Sequence, residues 1–267
     1  MKILQKITVL LLFTFVLTGC EFTDIFKPQP CTPDECAIVE TEEITNLINV
    51  TSEAIRLSNI HIKKTVYEKN ALGGPKLYSA SSAEGSGFVF KEDADYYYAL
   101  TNFHVIDIEI SPTRLYSVEY EVIINYVQIK AGVSVIAQGD ANTDLAVIRF
   151  PKNSVTVPLM DLSERATTGA IANEFILIVG NPGGQINVVS TSKVILICQC
   201  LSGIDFNVIY FQFNMQSPGN SGGAVTDIHG NVLGIITWQN PDDFRRKFAI
   251  PLKVILDFLE TNEITLE

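Results

Sequence analysis

Ser217-Pro218-Gly219-Asn220-Ser221-Gly222-Gly223-Ala224-Val225, near the C-terminal end of the 267-residue chain, sets a serine among glycines just ahead of an apolar strand. Gly219 lets the backbone turn so that its own N–H and that of Ser221 point at one spot. A carbonyl oxygen that becomes negative during attack on an ester or amide is stabilised at such a spot. Gly222 and Gly223 carry no side chain to crowd an incoming substrate. A plain glycine-rich hairpin loop reads the same way in isolation, so the decision rests on what lies upstream.

A serine hydroxyl needs a base to take its proton, and the base needs a third group to orient it. The chain has three histidines, His61, His104 and His229. His104 stands where the apolar strand of Tyr98-Ala99-Leu100-Thr101-Asn102-Phe103-His104 ends, and Asp144 immediately precedes the apolar run Leu145-Ala146-Val147-Ile148. The order His104, Asp144, Ser221 is that of a chymotrypsin-type triad. His61 falls inside the first strand and reads as structural. His229, in the polar turn Asp227-Ile228-His229-Gly230-Asn231, reads as solvent-facing.

Gly85-Ser86-Gly87-Phe88-Val89-Phe90, then LTNFHVI (100–106), TDLAVIRF (143–150), VGNPGG (179–184), PGNSGGAV (218–225) and FAIP (248–251), resembles the trypsin-like serine peptidases of the HtrA/Deg type. The resemblance implies an endopeptidase acting through an acyl-enzyme, with His104 as base, Asp144 as its orienting partner, Ser221 as nucleophile and the N–H groups of Gly219 and Ser221 as oxyanion hole. It further implies that Thr237 hydrogen-bonds Asp144. Thr237, Trp238 and Gln239 would then form the strand along which a substrate backbone pairs. Met215 and Gln216 would line the pocket for the side chain preceding the scissile bond. No carboxylate stands among Asn214, Met215 and Gln216, so small or medium uncharged side chains are expected there; Gln216 departs from the family, where a small or apolar residue is usual. Sixteen residues follow Pro251, too few for the PDZ domain usual in this family, so its absence is expected. The family's trimer is left open, as are two other readings: a catalytically silent module that binds polypeptide through the same cleft, and a peptidase that processes one specific protein.

Composition agrees with a large all-β domain. Hydrophobic residues make up 47% and charged residues 18%, enough for a sizeable core and unlike a disordered chain. From residue 87 onward, short Val-, Ile-, Tyr- and Phe-rich runs alternate with turn residues, which predicts two packed six-stranded β-barrels of the trypsin-like fold. Helical spacing of Ile44, Leu47, Ile48, Thr51 and Ile55 predicts a helix over 41–56 that packs on the barrel. Leu252, Ile255, Phe258 and Leu259 predict another after Pro251. Residues 70–84 read as a Gly- and Ser-rich loop and 119–129 as one strand. His104 and Asp144 belong to the first strand group and Ser221 to the second, so the site is expected in the cleft between them.

The N-terminus reads as a targeting segment. Lys2 and Lys6 precede the apolar run Ile7–Leu17, which ends in Leu17-Thr18-Gly19-Cys20, similar to the lipobox of bacterial lipoproteins. Residues 1–19 are thus expected to be a signal peptide, Cys20 the lipidated residue, 20–40 a Pro-containing spacer and 41–267 the peptidase domain. This predicts an extracytoplasmic, membrane-anchored lipoprotein acting on misfolded or surface polypeptides. The net charge of −11 disfavours nucleic acid as a partner. Cys31 and Cys36 could close a short disulfide loop, whereas Cys198 and Cys200 read as buried free thiols in a strand. No motif calls for a cofactor, and no cluster of Cys or His completes a zinc site.

Overall fold

The computed structural model describes residues 42–69, 76–107, 116–213 and 218–266, with side chains at 69 and 76–80 excepted. The expected signal peptide, Cys20, the spacer, the Cys31–Cys36 loop and the pocket residues Met215 and Gln216 lie outside the described residues. Helix α1 (Glu42–Ser58) runs directly into strand β1 (Asn59–Lys69). It seats one face on the body through Ile55, and Thr51 Oγ1 donates to the carbonyl of Ile228 at 2.9 Å.

The first sheet comprises β1, β2 (Lys76–Glu92), β3 (Tyr96–Thr101), β4 (Tyr116–Ile124), β5 (Val127–Ile129), β6 (Ser134–Gln138) and β7 (Ala146–Pro151). Its strand order is β5-β4-β1-β2-β3-β7-β6, every pair antiparallel. Among the described residues this is a seven-stranded half-barrel; the expected closed six-stranded barrel is not formed here. Two local features account for the changed strand pattern. Asn125 and Tyr126 both adopt positive φ, splitting the expected strand 119–129 into the β4–β5 hairpin. Residues 76–84, expected as loop, pair with β1 from Lys69↔Lys76 to Lys63↔Glu84; the run of small Ser and Ala residues carries no alternating apolar pattern to mark it as a strand.

The second sheet is a closed six-stranded barrel, β10-β13-β12-β11-β8-β9. Its strands are β8 (Phe175–Gly180), β9 (Val188–Cys198), β10 (Val208–Gln212), β11 (Ala224–Thr226), β12 (Val232–Gln239) and β13 (Arg246–Pro251). A short helix, α2 (Phe103–Ile106), follows β3, and α3 (Leu252–Thr261) starts directly after Pro251. The all-β, double-barrel class expected from the sequence is the one observed.

The continuous apolar runs have a simple cause: both faces of the central strands are buried. Val89, Ala146 and Ile148 point into the core of the first sheet, while their neighbours Phe88, Phe90, Leu145 and Val147 point outward. Those outward residues join Leu177, Val179, Ala224, Ile235 and Ile250 of the second barrel, and Ile255 and Phe258 of α3, in one shared cluster. Ile176, Ile178, Ile209 and Phe211 fill the second barrel itself. The two halves are thereby fixed against each other beneath the cleft.

Cys198 and Cys200 are disulfide-bonded, with Cα atoms 5.2 Å apart, which corrects the expectation of buried free thiols. β9 ends at Cys198, so the pair does not lie in an extended strand, and Cys200 is exposed. Among the described residues no group of His, Cys, Asp and Glu could hold a metal ion, and no helix is long and apolar enough to cross a membrane.

Candidate active site

Asp144 sits at the end of the tight turn that leads into β7, with φ +48°. That left-handed backbone is uncommon for a residue with a Cβ and costs energy, which the surrounding contacts must offset. Asp140 supplies two of them: its carbonyl accepts from Asp144 N at 2.7 Å, and its Oδ1 accepts the N–H groups of Asn142 and Thr143. Asn102 Nδ2 donates to the Asp144 carbonyl at 2.9 Å, tying the turn to the end of β3.

The buried Asp144 carboxylate gathers three donors. His104 Nδ1 lies 3.0 Å from Oδ1 and 2.9 Å from Oδ2, and the backbone N–H of His104 donates to Oδ1 at 3.0 Å. Thr237 Oγ1, arriving from β12, donates to Oδ2. Buried Val105 and Ile106 pin α2 onto the first sheet, so the His104 ring is held at the aspartate while half its side chain stays exposed. With Nδ1 committed to the carboxylate as a donor, Nε2 is left as the basic nitrogen.

Ser221 enters the cleft from the opposite barrel on a turn with no space for side chains at two positions. Gly222 has φ +88°, and a Cβ there would lie 2.0 Å from the Ser86 carbonyl; Gly219 has φ +106°, and its Cβ would meet the Asn181 carbonyl at 2.3 Å. The turn is tied down by Ser86 N donating to the Ser221 carbonyl at 2.7 Å and by Gly222 N donating to the Ile236 carbonyl at 3.0 Å. Among the described residues, the N–H groups of Gly219 and Ser221 donate to no acceptor, so both remain free for an anionic oxygen. Ser221 and His104 form no hydrogen bond with each other, and contacts of this kind are often long until a substrate draws them together.

Beside Ser221 opens a cavity of about 380 Å³ whose walls include Thr237, Trp238 and Gln239 from β12 and Lys247 from β13. Ile236 pairs with Ala249 and Gln239 with Lys247 across a bulge at Thr237-Trp238, while on the other edge of β12 the pairing with β11 reaches only to Ile235 and leaves Thr237–Gln239 without a strand partner there. An extended peptide can add to that open stretch. Trp238 also packs against Phe206, with ring centroids 6.3 Å apart, so its packing role and its place in the cleft coexist.

This geometry agrees with what is found in other proteins. A profile of the trypsin-like peptidase domain matches residues 85–235. The chain belongs to the trypsin-like peptidase family. Among relatives, the peptidase domain is 27% identical over 208 residues to a serine protease HtrA-like protein of Staphylococcus aureus strain RF122, covering 70% of this chain. The HtrA-like protein of strain USA300 is 28% identical over 203 residues, again 70% of this chain. These matches span about a quarter of the length of those relatives, 25% in each case. Among solved structures, the protease Rv3671c of M. tuberculosis in its active form aligns with a TM-score of 0.62, at 20% identity, over 83% of this chain and 87% of that one. The serine endoprotease of Yersinia pestis aligns with a TM-score of 0.56, at 20% identity, over 80% of this chain and 66% of that one. At that identity the likeness is one of fold.

Of the residues expected at the site, His104, Asp144 and Thr237 are in direct contact, and Ser221, Trp238 and Gln239 share the adjoining cavity with Thr237. The other two histidines stand apart. His61 is buried in β1 with Nε2 3.2 Å from Glu84; its burial holds the pKa below the usual histidine value, against the opposing pull of that carboxylate. His229 is exposed in the β11–β12 turn. Lys247 was not anticipated from the sequence. It follows two exposed arginines and reads as part of a polar hairpin end, yet it is only 5% exposed, and burial lowers its pKa from the usual lysine value.

Proposed function

We propose that this chain is a serine endopeptidase that cleaves polypeptides outside the cytoplasm while anchored to a membrane through Cys20. Ser221 Oγ attacks the scissile carbonyl carbon as its proton passes to Nε2 of His104. The resulting oxyanion is received by the N–H groups of Gly219 and Ser221. Collapse breaks the C–N bond, the leaving amine takes the proton from His104, and an ester to Ser221 remains. Water then attacks that ester, giving a proton to His104, and collapse releases the carboxylic acid as Ser221 Oγ takes that proton back from His104.

The observation that carries this reading is the Asp144 carboxylate, which binds the Nδ1 side of His104 and is itself held by Thr237, next to a glycine turn with two free N–H groups. The missing Ser221–His104 bond is the one feature that favours a silent binding module. Labelling with a fluorophosphonate, followed by peptide mapping, separates the two. A single adduct on Ser221, absent from Ser221→Ala, supports the peptidase; a protein inert to the probe is the binding module.

The anchor rests on Leu17-Thr18-Gly19-Cys20 closing the apolar run. Two acyl chains at Cys20 would hold the domain at a membrane despite its negative charge, since each buried methylene contributes about 0.8 kcal/mol. Mass spectrometry of the mature N-terminus and detergent partitioning test this. An unmodified Cys20, or a native protein wholly in the aqueous phase, would overturn it.

A further inference from the structure

Lys247 is the anomaly of the cavity beside Ser221. The residue as a whole is only 5% exposed, and the one polar contact of its ammonium among the described residues is Gln239 Oε1 at 2.6 Å, a neutral acceptor. Elsewhere, Lys130, Lys152 and Lys253 pair with Glu121, Glu92 and Asp257. Burying an ammonium without a counter-charge costs stability, and a methionine of similar length would fill the same space at lower cost. A residue that breaks a local packing rule next to a nucleophile is where a functional demand is expected.

The geometry points to Lys247 as the specificity-determining residue of this cleft, selecting Asp or Glu as the residue immediately before the scissile bond. This rests on the peptidase reading above. The cavity opens beside Ser221, so a side chain entering it belongs to the residue whose carbonyl is attacked. None of the described lining residues carries a carboxylate that would repel an acidic side chain. An incoming carboxylate displaces Gln239 Oε1, takes up the charge of Lys247 in a charge-assisted hydrogen bond, and leaves the Gln239 amide free to turn its Nε2 donors inward.

Overall charge does not reverse the argument. At physiological ionic strength the field of the net charge of −11 fades beyond about 8 Å from the charges that make it. The surplus slows the encounter of an acidic peptide; the contact inside the cavity decides which bond is cut. The expectation of small uncharged residues, drawn from Asn214, Met215 and Gln216 alone, is replaced by this reading.

The test is the full-length protein in detergent with a peptide series differing only at the residue before the scissile bond: Glu, Asp, Gln, Ala, Leu and Lys. The expected result is a kcat/KM for Glu or Asp at least about 10-fold above that for Gln or Ala, the low end of what one pocket contact discriminates. In Lys247→Met the Glu-to-Gln ratio should fall to about one or below, and Lys247→Glu should move the preference to Lys. Because a buried substitution can disturb folding, the wild type is also treated with diphenyl phosphonates bearing a Glu or a Leu side chain, and the Glu reagent should modify Ser221 faster. Faster reaction of the Leu reagent, preference for uncharged peptides, or a retained Glu-to-Gln ratio in Lys247→Met would each overturn the assignment. If no phosphonate modifies Ser221 and no peptide is cut, the peptidase reading itself fails.

Discussion

Thr237 Oγ1 donates to Oδ2 of Asp144, the same oxygen that lies 2.9 Å from Nδ1 of His104. The contact crosses the cleft: Asp144 and His104 come from the first sheet and Thr237 from the closed barrel. Orientation of the His104 ring therefore depends on how the two halves pack, and the shared cluster of Phe88, Leu145, Val179 and Ile235 fixes that packing.

The charge of Asp144 is tested by Asp144→Asn. Asparagine tolerates the left-handed backbone at φ +48°, so the turn should survive and only the acceptor for Nδ1–H is compromised. A loss of about 10⁴-fold in kcat is expected, the scale for a histidine held in the wrong tautomer. Near-native turnover in a folded Asp144→Asn protein would remove Asp144 from the mechanism.

Thr237→Val removes one donor from the same carboxylate while keeping the shape. A hydrogen bond to a charged group is worth about 1.5–3 kcal/mol, so kcat/KM should fall about 10- to 100-fold. Thr237→Ser, which keeps the hydroxyl, should recover most of that loss. Equal defects in both variants would point to lost packing of the γ-methyl.

The candidate site is legible in the sequence where its parts are local in the chain. His104 at a strand end, Asp144 ahead of a strand and Ser221 in its glycine turn each carry short signatures. Features that depend on register are not. Lys247 reaches the cavity because it pairs opposite Gln239 after a shift in the β12–β13 ladder, which no local pattern encodes. Asn125-Tyr126 hid a hairpin because neither residue is glycine, the usual mark of paired positive φ angles. The Cys198–Cys200 bond is hidden because the apolar run reads as one strand through Cys200, whereas β9 ends at Cys198.

Away from the cleft, Arg165 links two carboxylates, reaching Glu174 Oε1 at 2.6 Å and Asp227 Oδ2 at 2.8 Å. Burial pushes the Asp227 carboxyl pKa up, but hydrogen bonds from Asn231 and Arg165 and the N–H groups of Asn231 and His229 outweigh it and hold it below the usual carboxylate range. With the folded value below the unfolded one of about 3.9, ionised Asp227 stabilises the fold above about pH 4. That contribution is lost as pH falls through the folded value. Asp227→Asn should cost about 2 kcal/mol at pH 7, and urea unfolding should show the gap to wild type narrowing as pH is lowered beyond the unfolded value of about 3.9. A gap that stays constant through that acid range would mean the charge contributes nothing.

Ser86 sets the final test, because its hydroxyl connects the first sheet to the nucleophile turn. Ser86 Oγ donates to the Gly219 carbonyl at 2.5 Å and accepts from Asn181 N at 2.9 Å and Asn181 Nδ2 at 3.0 Å. Pro218, one residue earlier, gives its carbonyl to Gly183 N at 2.8 Å. In a planar trans peptide the N–H points opposite to the C=O, so the bond to Gly183 aims the Gly219 N–H away from the 180s loop. Two consecutive peptide planes of the turn are thus fixed from two sides. Ser86→Ala releases one of them and leaves the Gly219 carbonyl and the Asn181 donors short of a partner, at a cost of about 1–3 kcal/mol in stability. Its kinetic effect should fall on kcat, about 10- to 100-fold, below the 10²–10³ of losing an oxyanion donor outright. KM should change little, because the peptide-pairing stretch at Thr237 and Trp238 is untouched. Affinity for a peptide boronate, which places an oxygen in the oxyanion position, should fall in parallel with kcat. An unchanged kcat in a folded Ser86→Ala protein would show that the turn holds its shape without this hydroxyl.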